Sequence, residues 1–183
     1  MTWKWLLWGG GGIVALVLLA TLIGAFLAKG HVAVVRLRLR AAPSEVWARL
    51  SDIGTWADWN KGVKRVERRD DLDGAPVWAV HTSHGPITSR VAEATAPGPD
   101  RPGRLHTVIC DDSLPFGGSW TWQVEADGGG SVVTLTEDGE VKNPLFRFLS
   151  YVVFGTTGTA TAYLKALAAA FGEDAAPEVL RTR

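Results

Sequence analysis

The chain has 183 residues, 46% of them hydrophobic, with nine Trp, one Cys and one Met, and its nineteen Lys+Arg balance nineteen Asp+Glu. A net charge of zero excludes a protein whose main work is neutralising nucleic-acid phosphates, and the single Cys110 excludes an intramolecular disulfide framework or a cysteine-rich zinc module. The length fits one domain with an appendage.

Residues 5–28 carry no charge and lie between Lys4 and Lys29. At about 1.5 Å per residue they span roughly 36 Å as a helix, enough to cross a hydrocarbon core of about 30 Å. Trp3, Trp5 and Trp8 cluster at one end, as interfacial aromatic residues do. Gly9–Gly12 would weaken a helix in water but are tolerated in lipid. The length of the run, and Phe26 two residues before Ala28, speak against a cleaved leader. The lack of a polar face speaks against a buried soluble helix. Residues 1–29 are therefore expected to be a transmembrane anchor. Lys29, Arg36, Arg38 and Arg40 outnumber Lys4 on the two flanks, which points the main domain towards the cytoplasm. Without Lys4 and Lys29, 17 basic and 19 acidic side chains remain, a net charge of −2.

Residues 32–40 end in strict alternation, with Val35, Leu37 and Leu39 on one face and Arg36, Arg38 and Arg40 on the other, the mark of a half-buried strand. Pro43 and Ser44 open a short helix with Val46, Trp47 and Leu50 at helical spacing; Asp52-Ile53-Gly54 ends it, and Thr55–Asn60 reads as a second. Six strands are predicted next, over 62–70, 76–83, 86–95, 104–111, 118–126 and 131–141. Gly-, Pro- and Asp-rich turns separate them, and such short connections imply an antiparallel meander. From Pro144 to Phe171 the apolar spacing turns helical, with Gly155 and Gly158 loosening it midway. Residues 173–183 are polar, contain Pro177 and are expected to fray.

The expected architecture is α+β. A transmembrane helix precedes a curved seven-stranded antiparallel sheet, in the order β-α-α-β6-α, wrapped around a long C-terminal helix. The units are an anchor over 1–29, a domain over 30–172 and a tail over 173–183. A bent sheet gripping a helix leaves a space between them that apolar side chains line.

Three stretches resemble the SRPBCC superfamily, the helix-grip fold of birch-pollen-allergen-like, START and polyketide cyclase/dehydrase-like proteins. The first is Ala42–Asp52 with Trp56 and Asp58-Trp59-Asn60. The second is Gly118-Ser119-Trp120-Thr121-Trp122 with Thr134–Gly139. The third is Asn143–Phe148 with Phe154-Gly155 and Tyr163–Leu167, similar to the last helix of bacterial members that carry an N-terminal anchor. The resemblance covers residues 32–172 and implies a pocket for lipids, polyketides or other apolar molecules. It brings no universal catalytic residue.

On this reading Trp56, Trp59, Trp120, Trp122, Leu135, Phe148, Val152 and Tyr163 line the cavity, each weighed against ordinary core packing. Glu137 shares a strand face with Val133 and Leu135, so it either points inward as a general acid or base, with Tyr151 or Tyr163 in support, or ends its strand paired with Arg147 or another cation in solvent. His81 and His84 lack the spacing and acidic neighbours of a metal site. His106 reads as satisfied or exposed. Asp111 and Asp112 beside Cys110 oppose a thiolate. Lys61, Lys64, Arg65, Arg68 and Arg69 form the most basic run, either a solvated face or a contact for anionic headgroups. No cofactor, metal or nucleic acid is expected. The expected function is binding of a hydrophobic small molecule or lipid by a single-pass protein of the bacterial inner membrane, its domain in the cytoplasm. The alternatives are a cyclase/dehydrase-like enzyme using a cavity carboxylate, and a membrane-tethered interaction module presenting an apolar patch to a protein partner.

Overall fold

A computed structural model describes residues 3–154 and 157–182, with side chains over 11–152 and 157–182. The chain opens with α1 (Trp3–Phe26) and passes through three residues into β1 (Gly30–Leu39). Next come α2 (Pro43–Ser51), a single 3-10 turn (Ile53–Thr55) and α3 (Trp56–Trp59). Proline, which has no N–H to leave unpaired, starts α2, and the Glu45 carboxylate accepts the Ala42 N–H at 2.9 Å.

The meander follows: β2 (Arg65–Leu72), β3 (Ala75–Thr82), β4 (Gly85–Thr95), β5 (Gly103–Ile109), β6 (Phe116–Asp127) and β7 (Gly130–Val141). Each pairs antiparallel with its successor, and β7 pairs with β1 from Gly30↔Glu140 to Leu39↔Ser131. The alternation read in β1 is realised: Val35, Leu37 and Leu39 are buried.

Two expectations are corrected. The sheet has eight strands, ordered β2-β3-β4-β5-β6-β7-β1-β8, because the polar tail expected to fray supplies β8 (Glu178–Thr182), antiparallel to β1. Without it β1 would present an unpaired row of backbone groups at the edge. The long C-terminal helix is broken into α4 (Pro144–Leu149), a π-helical turn (Ser150–Phe154) and α5 (Gly158–Ala170). The Asn143 side chain caps α4 by accepting the Phe146 N–H at 3.2 Å. Helix α5 turns Ala160, Leu164, Leu167 and Ala168, spaced by three and four, into the core over β1 and β7.

The expected transmembrane span is not shown: among the described residues no helix is long and apolar enough to cross a membrane. Along α1 Ile13, Val14, Leu16, Val17, Leu18, Leu19, Leu22, Ile23 and Phe26 are exposed, and Gly24 is buried. A Cβ at Gly24 would collide with the Pro144 carbonyl, so glycine is what lets α4 lie directly on α1.

Candidate functional site

The strands β6 and β7 carry the centre of the candidate site. Their register sets Trp120 opposite Glu137, Trp122 opposite Leu135 and Val124 opposite Val133. Trp122, Val124, Val133 and Leu135 are fully buried, so this is the core face of the sheet. Glu137, two residues beyond Leu135, lies on the same face.

Helix α3 adds Trp56 and Trp59 from one side and α5 adds Tyr163 from the other. Ring centroids lie 4.9 Å apart for Trp120–Tyr163, 5.9 Å for Trp56–Tyr163, and 6.0 to 6.1 Å for Trp120–Trp122, Trp56–Trp122 and Trp56–Trp59. All five pairs are edge-on, the arrangement the ring quadrupoles favour, and rings this close are in contact. The space expected between sheet and helix is therefore filled by these side chains. Burial pushes the Tyr163 hydroxyl up to about 12. The Trp56 Nε1 donates to the Leu50 carbonyl at 3.0 Å, while the Nε1 of Trp59 and of Trp122 are buried without a partner.

Six of the expected lining residues, Trp56, Trp59, Trp120, Trp122, Leu135 and Tyr163, thus meet in one place. Phe148 and Val152 do not. Phe148 lies against α1 at Gly24, and Val152 is 62% exposed. Among the described residues are two open depressions of about 340 and 380 Å³, walled by Arg38–Arg40, Asp127–Gly130 and Glu173, and by Glu45, Ala48, Arg49, Asp52, Thr55, Asp58 and Trp59. Both have charged side chains as well as apolar ones in their walls.

Glu137 points inward, with its side chain 19% exposed. Its Oε1 lies 3.5 Å from the His31 Nε2, and its Oε2 is buried without a hydrogen-bond partner. The His31 ring occupies the space over Gly139, where any Cβ would strike it. Arg147, the expected partner of Glu137, is instead buried elsewhere, at 5% exposure. His31 escaped the sequence reading because only the β1–β7 register, His31↔Gly139, brings it beside Glu137.

The basic run is largely compensated on the spot. Arg65 and Arg69 reach Glu67 at 2.7 and 2.6 Å, and Arg68 pairs with Asp71. Some desolvation raises the Glu67 carboxyl, but a hydrogen bond from His81 and the charges of Arg65 and Arg69 outweigh it and hold it below the usual value. This run lies on β2, at one edge of the sheet, whereas β1, which follows α1, lies next to the other edge. His106 is satisfied by the Thr121 hydroxyl at 2.9 Å, and Cys110 is half-buried.

A family model described as "Polyketide cyclase / dehydrase and lipid transport" matches residues 31–172. Among solved structures the fold is similar to the Zhui aromatase/cyclase from Streptomyces sp. R1128, at 19% identity and TM-score 0.56, covering 78% of this chain and 94% of that one. It is also similar to a START superfamily protein from Mycobacterium smegmatis, at 16% identity and TM-score 0.55, covering 75% and 94%. Norcoclaurine synthase from Thalictrum flavum shares 16% identity at TM-score 0.56, covering 79% and 87%. No curated protein matches the sequence. With these matches set beside the strand order and the aromatic cluster under α5, the chain belongs to the polyketide cyclase/dehydrase and lipid transport family, of the SRPBCC type.

Proposed function

We propose that this protein binds a hydrophobic small molecule or lipid between its sheet and α5, and that α1 tethers the domain to a membrane. The observation that carries the binding reading is the Trp120–Tyr163 pair, 4.9 Å apart and half-buried at the margin of the aromatic cluster. The flat rings behind it already form an apolar wall. Displacing the outer pair would open a site lined by Trp56, Trp122 and Leu135. An apolar ligand would replace the ring contacts it breaks, so the exchange costs little in transfer free energy. In the test, the full chain is purified in detergent, native mass spectrometry looks for a retained apolar molecule, and dodecanol is titrated against tryptophan emission. A retained molecule, or saturable quenching that Trp120→Ala weakens, supports the reading. Unchanged emission together with an empty protein overturns it.

The tether reading is supported by α1 itself, 24 residues long with apolar residues exposed on nearly every side. Full burial of an aliphatic or aromatic side chain is worth about 1.5–3 kcal/mol. The nine exposed ones therefore represent on the order of 10 kcal/mol that water does not recover. The proposed location is a bacterial inner membrane with the domain in the cytoplasm, following Lys29, Arg36, Arg38 and Arg40 against Lys4. Protease added to spheroplasts should leave the domain uncut; cleavage there reverses the sidedness.

A second reading, an enzyme of the cyclase/dehydrase kind, is favoured by Glu137, whose inward Oε2 has no partner and whose other oxygen faces His31. Such a carboxylate can take a proton from a carbon acid held against Trp120. If so, Glu137→Gln keeps ligand binding and abolishes dehydration of a poly-β-keto thioester surrogate. Equal product from both proteins removes this reading.

A further inference from the structure

A buried guanidinium ordinarily faces a carboxylate, and Arg147 does not. Its Nη1 donates to the carbonyls of Gly24 and Leu27 at 2.9 and 3.3 Å, its Nη2 to those of Val141 and Lys142 at 3.0 and 3.2 Å, and its Nε to Val141 at 3.1 Å. All five N–H donors of the side chain are used, and every acceptor is a backbone carbonyl. Gly24 and Leu27 lie at the C-terminal end of α1, where carbonyls lack helical partners and the helix dipole favours a cation. Arg147 therefore bolts α4 to the end of α1 while removing its own charge from the surface.

The bolted segment shows an apolar face. Phe146 and Leu149 are exposed on α4, and Tyr151 is 72% exposed on the π-turn beside Val152. Helix α4 is level with the last turn of α1, because Pro144 meets α1 at Gly24, within about one 5.4 Å turn of its end. On the last turns of α1 itself Leu22, Ile23 and Phe26 are exposed, Phe26 at 85%. The segments that build this surface carry no acidic residue of their own, although the exposed Asp112 carboxylate lies 3.5 Å from the Lys142 Nζ. Residues 1–44 and 141–172 contain no Asp or Glu, although the chain has nineteen. Lys29 and Lys142 flank the segment.

We infer that α4 and the π-turn form a second membrane-contacting element, seated in the headgroup and upper acyl region of an anionic bilayer and held flush with α1 by Arg147. The inference rests on the tether reading of α1 and adds to it. An apolar surface built from segments that carry no acidic residue, flanked by lysines and carrying an exposed tyrosine, matches the chemistry of that interface. A consequence concerns the ligand site. The His31–Glu137 pair follows α1 by a few residues, so the proposed site would lie close to the bilayer surface, where an apolar ligand could pass from lipid without crossing water.

The test uses the full chain in vesicles of phosphatidylcholine and phosphatidylglycerol, with Cys110→Ser to remove the native thiol. Single cysteines introduced by Tyr151→Cys, Leu149→Cys, Leu18→Cys and Asp100→Cys carry an environment-sensitive fluorophore. Only variants that melt like the parent are used, so positions 149 and 151 back each other up. The expected result is blue-shifted emission at 149 or 151 that lipid-borne quenchers suppress as strongly as at 18, with position 100 unaffected. Quenching at 18 without quenching at 149 and 151 overturns the inference and leaves the tether standing. A blue shift at 151 without lipid quenching marks a protein partner on this face and also overturns it. Silence at 18, 149 and 151 alike removes both the inference and the tether reading.

Discussion

The aromatic cluster beneath α5 and the surface made by α1, α4 and the π-turn contain the same kinds of side chain, yet only the first is shielded from water. Trp122, Leu135 and Leu164 have no exposed surface, because sheet, α3 and α5 enclose them from all sides. Leu16, Phe26, Tyr151 and Val152 are mostly exposed, because no other part of the described chain covers them. Composition and hydrophobicity therefore do not separate core from contact surface here; what separates them is whether a second layer of the fold closes over the residues. The sharpest way to break the comparison is truncation on both sides. Trp122→Ala should cost about 3–5 kcal/mol by leaving a large cavity, measured by denaturant unfolding in detergent. Tyr151→Ala and Val152→Ala should each stay within about 0.5 kcal/mol in the same assay. Equal costs at 122 and 151 would mean that the second surface is covered after all.

Arg147 joins the two regions, so removing it should rank next. Arg147→Ala leaves the carbonyls of Gly24, Leu27, Val141 and Lys142 without their donor, and should cost about 3 kcal/mol. Arg147→Lys should recover only part of this, because an ammonium has three donors where the guanidinium uses five. The check is twofold: the unfolding free energy, and cleavage by protease between α4 and α1, which should become faster. A lysine variant as stable as the parent would show that charge at the helix end suffices without the fork geometry.

The fold was largely legible because its signals are local. The alternation in β1, the Gly- and Asp-rich turns and the Pro43 and Asn143 helix starts each declare themselves within a few residues. What stayed hidden depends on long-range pairing. Glu178–Thr182 has no pattern that marks a strand, and it becomes β8 because β1 has a free edge. His31 meets Glu137 only through the register of the two strands. Phe148 and Val152 have the helical spacing of core residues, and that spacing is the same whether a helix faces a sheet or a membrane. Trp56, Trp59, Trp120, Trp122, Leu135 and Tyr163 were readable as one group, but not that their rings would fill the space between them, since packing distance is not written in periodicity.

The enclosure of Tyr163 makes the stability of the aromatic cluster depend on pH. Burial pushes the Tyr163 hydroxyl up to about 12, from an ordinary value near 10 in the unfolded chain. Between these values the unfolded state has lost a proton that the folded state still holds, so stability declines as pH rises. The contribution is complete below about pH 10, and about 2–3 kcal/mol of it is gone by pH 12. Tyr163→Phe should flatten this decline in alkaline unfolding curves. A Tyr163→Phe curve that falls as steeply as the parent's would place the alkaline sensitivity elsewhere.

The smallest expected effect belongs to β8, which lies in neither apolar region. All five of its residues are exposed, so its attachment depends on backbone pairing with β1, from Ala33↔Thr182 to Arg36↔Glu178, rather than on burial. Hydrogen bonds between exposed edges replace bonds to water and contribute little net free energy. Val179→Asp should therefore change the unfolding free energy by less than about 0.5 kcal/mol. Its effect should appear instead as faster hydrogen exchange at the β1 amides that face β8, while the amides facing β7 keep their protection. That split would identify β8 as an edge cover, and a loss of protection on both sides of β1 would make it part of the cooperative core.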